Sequence, residues 1–318
     1  MKKTLIALAV LAASTASMAQ VTLYGVADVS VGGTNAPGAK SDWQMHTGNN
    51  AGNIWNDGAS RVGFRVTEDL GGGMKVNANF EMGVGTETGA TDAATFQRNA
   101  WAEIAGGFGS VRAGRTLSPS FFGTAAWELT GTANFSAVAN QFGFGGGSSR
   151  NNSQFSYTTP SMGGVSATLG YVTEGDLAVA PKSDVSKVDA NVIYAGGPLS
   201  VGLSYNKISN ASEAGYGLGA NYNFGSFSIA GSFQDAAGPS QGYTIGASLP
   251  MGAWKFVVDV AQDTGAEDTN FVAYAGYSLS KRTTVYVQNH RDGKSSSKTF
   301  VKSAADVDTT SIGVRHNF

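Results

Sequence analysis

Cysteine is absent from the 318 residues, so neither disulfides nor a thiolate metal site can hold this chain together. Proline is scarce, at 7 residues. Long hydrophobic runs are missing after Ala19: the longest, near Phe256 to Val260, is broken by Asp259, whereas a membrane-crossing helix needs about 20 apolar residues. A basic excess is missing as well. Lys and Arg number 21 against 23 Asp and Glu, a formal net charge of −2, which argues against nucleic acid as a partner because phosphate neutralisation needs a basic face. Sustained helical periodicity is lacking too, so the pattern predicts essentially no helix beyond the N-terminal stretch.

That stretch reads as an export leader. Lys2 and Lys3 precede a short apolar segment, Thr4 to Ala13, and Ser17 and Ala19 are the small residues that a signal peptidase reads before its cut. The segment is too short for a membrane anchor. The leader is expected to be residues 1–19 and the mature chain residues 20–318, beginning at Gln20; loss of Lys2 and Lys3 would take the net charge from −2 to −4.

Glycine is plentiful at 44 residues, beside 17 Phe, 11 Tyr and 5 Trp. This is about twice the ordinary glycine usage, and low-complexity disorder would be poorer in aromatics. Period-two alternation organises these residues. Met74, Val76, Ala78, Phe80 and Met82 share one strand face, with Lys75, Asn77, Asn79 and Glu81 on the other. The pattern returns at Val165–Tyr171, Tyr216–Phe224, Phe227–Phe233 and Trp254–Val260. Connections alternate between short ones, such as Asp69–Gly73, Gly196–Pro198, Gly225 and Ser280–Arg282, and long polar ones, such as Gly32–Ala59, Glu174–Ser186 and Arg291–Asp306. Short turns at one end and long loops at the other describe an up-and-down barrel of about sixteen strands.

Alternation alone fits a soluble sandwich, apolar face inward, equally well. Three features favour a membrane barrel. Hairpins in sequence can close into one sheet without an edge. Tyr24, Tyr157, Tyr171, Tyr194, Tyr222 and Tyr277 lie near strand ends, where interfacial belts form. The sequence stops on Phe318, on the same face as Ile312, Val314 and His316; this resembles bacterial outer-membrane barrels, whose terminal Phe is an assembly signal, a role the resemblance implies for Phe318. One connection is longer than a compact loop requires: about 116–149, carrying Leu117-Ser-Pro-Ser-Phe-Phe, Trp127-Glu128 and glycines from Gly143 to Gly147. It follows the fifth strand as the third long loop, and its aromatics suit it to fold into the lumen as a constriction.

At this point the chain resembles the Gram-negative trimeric porins of the neisserial and burkholderial type. The matching segments are Gln20-Val-Thr-Leu-Tyr-Gly, Ser60 to Gly73 (SRVGFRVTEDLGGG), Gly109 to Arg115 (GSVRAGR), Phe155 to Pro160 (FSYTTP), Tyr277 to Thr283 (YSLSKRT) and Ile312 to Phe318 (IGVRHNF). They run from one end of the mature chain to the other. The resemblance implies an all-β, 16-stranded antiparallel transmembrane β-barrel with an inward-folded third loop. It also implies a homotrimer in the cell outer membrane, seated among lipid and lipopolysaccharide and delivered by the barrel-assembly machinery. Its function would be passive diffusion of small hydrophilic solutes and ions.

Strand parity nominates the channel residues. With Val62, Phe64 and Val66 on the lipid face, Arg61 and Arg65 point inward; with Trp101 outward, Arg98 points inward; Arg150 lies where the long loop returns to the wall. Anion-preferring porins of the resembling family carry basic residues matching Arg61, Arg98 and Arg150 at their constriction, while the loop offers only Glu128 as an acid. The same arginines could instead pair with acids such as Glu81 and stiffen the wall. Gly25, Ala27 and Gly313 suggest a flat outer wall for packing between copies.

Other chemistry is poorly supported. His46, His290 and His316 share no short spacing, Gly143–Gly147 lacks the Gly-Lys-Ser/Thr ending of a phosphate loop, and Asp263–Asp268 reads as a solvated loop. No cofactor is implied. The competing readings are a porin selective for phosphate or organic acids, a barrel enzyme and a surface adhesin.

Overall fold

The protein is described from a computed structural model, which describes residues 19–36, 42–47, 54–173, 185–293 and 306–318. The expected leader, Ala19 apart, lies outside the described residues, as do most of Glu174–Ser186 and Arg291–Asp306. All strands join one antiparallel sheet of seventeen. Of these, β2 (Gln44–Thr47) is a four-residue piece in the first long connection, so sixteen strands build the wall: β1 (Gln20–Asn35) and β3 (Arg61–Gly71) through β17 (Val307–Asn317).

Closure rests on β1. One edge pairs with β17 from Val26↔Asn317 to Asn35↔Asp308. The other edge pairs with β3 over Gln20–Val26 and with β2 over Val29–Gly32. With the remaining hairpins in sequence order, the sheet has no free edge to expose backbone donors to lipid. The short turns lie where the sequence puts them; Gly197 (φ 56°) and Gly225 (φ 92°) occupy left-handed conformations that admit a two-strand reversal in so few residues.

The two faces of the sheet decide between barrel and sandwich. Leu218 is 51% exposed and Ile245 59% exposed, whereas Gln234 and Gln288 are each 1% exposed. Apolar side chains outside and polar ones within invert the order of a soluble protein and match a barrel standing in lipid around a wet interior. Cross-strand neighbours such as Leu218↔Phe233 and Phe233↔Tyr243 tile the outer face. Tyr222, Phe224 and Phe227 cluster at the β11 (Gly215–Asn223) to β12 (Ser228–Asp235) turn, with ring centroids 4.7 and 4.8 Å apart.

Three expectations fail here. Tyr24 is not in an outer belt: its hydroxyl faces inward, donating to Glu81 Oε2 at 2.7 Å. Gly313 is not on the outer wall, because a Cβ there would meet the ring of Tyr286, which is buried and donates to Asp28 Oδ1 at 2.6 Å. Helix is also present among the described residues, where the sequence pattern predicts none. Two short helices, α1 (Pro119–Ala125) and α2 (Ala137–Phe142), lie in the long connection between β6 (Gly109–Leu117) and β7 (Arg150–Thr158), the fifth and sixth wall strands. Each starts at a serine cap: Ser118 Oγ accepts from Phe121 N at 3.1 Å and Ser136 Oγ from Ala139 N at 3.4 Å. At seven and six residues they are too short to leave a helical period.

Candidate channel constriction

The loop carrying α1 and α2 is clamped to the inside of the wall at two places. At the first, Ser120 N donates to Asp189 Oδ1 (2.7 Å), Asn191 Nδ2 to the Pro119 carbonyl (2.7 Å) and Ser204 Oγ to the Ser120 carbonyl (2.8 Å). These wall residues sit on β9 (Lys187–Gly196) and β10 (Leu199–Ile208). At the second, Gln141 Nε2 donates to Asp263 Oδ2 at 3.0 Å and Lys255 Nζ to the Leu129 carbonyl at 3.0 Å. Trp127, Leu129, Phe135, Val138 and Phe142 pack there with Val257, Ala261 and Val272 into a buried apolar cluster. Burial of these side chains, at about 25 cal/mol per Å² of apolar surface, offsets part of the entropy lost in ordering so long a connection.

Beside this loop the lumen holds a cavity of about 1000 Å³. Six arginines line it: Arg61, Arg65, Arg98, Arg112, Arg150 and Arg315. Glu81 is their hub, 2.7 Å from Arg98 Nε and 3.7 Å from Arg61 Nε. It also accepts from the Tyr24 hydroxyl at 2.7 Å and Asn99 Nδ2 at 3.3 Å. Arg112 reaches Glu103 at 2.7 Å and lies 4.0 Å over the ring of Trp101. Arg65 lies 4.2 Å over Tyr24, and Arg150 Nε donates to the Arg98 carbonyl at 2.7 Å. Arg315 pairs with Asp57 at 3.1 Å. Three carboxylates therefore serve six guanidiniums. The loop side of the cavity, from Leu117 to Ser149, contributes no charged side chain among its described lining residues.

The structure thus brings Arg61, Arg65, Arg98 and Arg150 to one cavity and leaves Glu128 out of it. The Glu128 carboxylate is buried in the loop's own turn, accepting from Thr130 Oγ1 (2.5 Å), Thr132 N (2.6 Å) and Ser136 Oγ (2.9 Å). It caps the approach to α2 instead of facing solutes. Trp101 is a second correction. It faces the lumen, opposite Asn79 in the register, while Ala100, Ala102 and Ile104 take the outer face. Arg98 reaches the cavity all the same because it precedes β5 (Asn99–Gly106) and is not bound by its pleat.

Sequence reasoning missed Arg112 and Arg315, although the parity rule applied to exposed Val111 and Val314 would have found both. It also missed a second inward segment. Residues 54–60, read as part of an outer loop, hang on buried Asp28, which accepts from Asn56 Nδ2 (3.1 Å) and Gly58 N (2.7 Å). Gln288 Nε2 donates to the Ile54 carbonyl (3.1 Å) and Ser311 Oγ to that of Trp55 (2.6 Å). A carboxylate on the lumen face of β1, ahead of an Asn-Asp-Gly sequence, was the available signal.

A cavity lined by polar and charged side chains, enclosed by a closed sheet that turns its apolar side chains outward, defines the class: a channel protein built as a transmembrane β-barrel. A family model described as Gram-negative porin matches residues 4–297, and the chain belongs to that family, a porin of the outer membrane. It is 34% identical over 317 residues to outer membrane porin protein 32 of Delftia acidovorans, covering 90% of this chain and 88% of the relative. It is 28% identical over 296 residues to an outer membrane porin protein of Bordetella pertussis, covering 79% and 74%. Among solved structures, the anion-selective porin from Comamonas acidovorans is similar at a TM-score of 0.72 and 26% identity, covering 95% of this chain and 100% of that one.

Proposed function

We propose that this porin is a general diffusion channel for small hydrophilic solutes that prefers anions, with Arg61, Arg98 and Arg150 at its selectivity constriction and Arg65 beside them. The observation that carries this reading is the imbalance of six guanidiniums against three carboxylates on a wall that faces an uncharged loop. Guanidinium stays charged at any relevant pH. In a narrow passage with low-dielectric walls, that excess focuses a positive potential, which draws anions in and turns cations away whatever the net charge of the chain. The Comamonas protein's description as anion-selective agrees with it. A porin fold whose lumen holds a polar cavity lined by arginines favours passage over catalysis, so the protein acts as a channel rather than as an enzyme. In this reading the porin works as a homotrimer, with Gly25 and Ala27 on the outer wall, and the third loop is its constriction element.

The test is the zero-current potential of the purified protein in planar bilayers under a KCl gradient. Chloride preference is expected at low salt, fading as the Debye length falls from about 10 Å at 0.1 M to about 3 Å at 1 M. Potassium preference, or a preference indifferent to salt, overturns the reading. Mass measurement in detergent should give three copies; a stable monomer with full conductance would remove the trimer.

A further inference from the structure

The sequence Ser118-Pro-Ser-Phe-Phe-Gly-Thr starts α1 with two adjacent phenylalanines. Pro119, Ser120, Gly123 and Thr124 are the buried residues of this helix, one face at helical spacing, pressed on β9 and β10. That docking leaves Phe121 and Phe122 on the side lining the cavity, and Phe144 joins them from the far end of the loop. Phe121 is the centre, 5.6 Å from Phe122 and 4.8 Å from Phe144. Phe122 is 38% exposed, and from Leu117 to Arg150 no other large apolar side chain is exposed to this degree among the described residues. Phe121 and Phe144 are half-buried, whereas the Phe122 ring is bared to the lumen, where it gains little from burial. The wall across the same cavity carries the arginines, of which Arg65 and Arg150 have no carboxylate within ion-pair distance among the described pairs.

A cavity with rings on one side and guanidiniums on the other is complementary to a solute with an aromatic body and an anionic head. We infer that the constriction holds a binding site for small aromatic carboxylates, the carboxylate received by Arg150 and Arg65 or their neighbours and the ring packed on Phe122 and Phe121. Guanidinium receives a carboxylate through paired N–H donors, and offset or edge-on ring contacts add to simple apolar burial. This rests on the anion-preferring reading above and narrows it to a solute class. Binding at a constriction is read as a slowing of other ions: a solute that dwells there obstructs chloride while it passes.

Benzoate, acetate and cyclohexanecarboxylate are the probes, each titrated against the chloride current of single channels. Benzoate should depress the current at a concentration at least about fivefold below that of acetate, the scale of one aromatic contact, and below that of cyclohexanecarboxylate. Benzyl alcohol, which lacks the charge, should be weaker than benzoate. Phe122→Ala and Phe122→Leu should both raise the half-blocking concentration of benzoate towards that of acetate, with Phe144→Leu as the alternative if neither variant assembles. Equal action of benzoate and acetate on the unaltered channel overturns the inference, as does a benzoate response unchanged in assembled variants. Cyclohexanecarboxylate matching benzoate would do so too, since a merely apolar wall would then suffice. A channel that prefers potassium at zero current would instead bring down the anion-preferring reading itself, so the two failures are told apart.

Discussion

At the scale of single residues, Glu81 offsets part of the positive charge in the cavity, because its one carboxylate lies against two guanidiniums, those of Arg61 and Arg98, and leaves a net charge of about +1 among the three. Glu81→Gln should therefore move the zero-current potential further towards chloride, while replacing Arg61, Arg98 and Arg150 together with neutral residues should move it towards potassium; an unmoved potential in a folded triple variant would make these arginines structural. Glu128→Gln, by contrast, should leave the potential nearly in place, since that carboxylate is enclosed by Thr130, Thr132 and Ser136. A shift as large as that of Glu81→Gln would contradict its burial. Parity made Arg61 and Arg65 legible from sequence because β3 pairs in unbroken register from Arg61 to Asp69 and alternates them with Val62, Phe64 and Val66. It misjudged Trp101 because large aromatics serve both faces of a porin wall: outward they meet lipid, and inward Trp101 supports the Arg112 guanidinium. Hydrophobicity alone does not tell these uses apart.

At the scale of elements, the loop between β6 and β7 is a clamped strap and not a free flap. Asp189 holds its first end: it accepts from Ser120 N at 2.7 Å, from Asn151 Nδ2 at 3.0 Å and from Lys187 Nζ at 2.7 Å, and both partners of the Lys187 pair are buried. Removing one partner of a buried pair costs about 3–5 kcal/mol. Asp189→Ala should then free α1 without opening the wall, whose strands keep their ladder bonds. Single-channel records should show added noise and brief closures, and limited proteolysis should cut between Thr116 and Arg150 faster than in the unaltered protein. Quiet records and unchanged cleavage would place the clamp elsewhere. The strap's length and aromatics were readable from sequence, as were the short turns. Its two helices were not, because each is a capped turn or two. Nor was the inward docking of residues 54–60, which depends on Asp28, Tyr286, Gln288 and Ser311, residues brought together only when the first and last strands meet.

At the scale of the whole molecule, the inverted order of apolar and polar residues makes the sign of a mutation's effect depend on the surrounding solvent. The seam between β1 and β17 continues past the last strand residue through a reciprocal backbone pair: Gly25 N donates to the Phe318 carbonyl and Phe318 N to that of Gly25, both at 3.0 Å. The Phe318 ring lies on the outer face and fills the space where Gly25 lacks a side chain; a Cβ on Gly25 would also come within 2.7 Å of the Arg61 carbonyl oxygen. Gly25→Leu should thus strain the seam on two sides at once. Phe318→Ser is the more telling change, since it keeps both backbone bonds and alters only what meets the surroundings. In water, exchanging a half-exposed aromatic for serine would be neutral or favourable. In a bilayer it removes apolar contact of about 2 kcal/mol, on the scale of burying such a side chain, at the seam where the first and last strands join. Refolding into lipid vesicles, followed by heat-modifiable mobility, should give less closed barrel for Phe318→Ser and near-normal yields for Phe318→Leu, which keeps an apolar group there. Equal yields for the serine and leucine variants would mean that the seam closes on its backbone bonds alone, with the ring over Gly25 making no contribution to assembly.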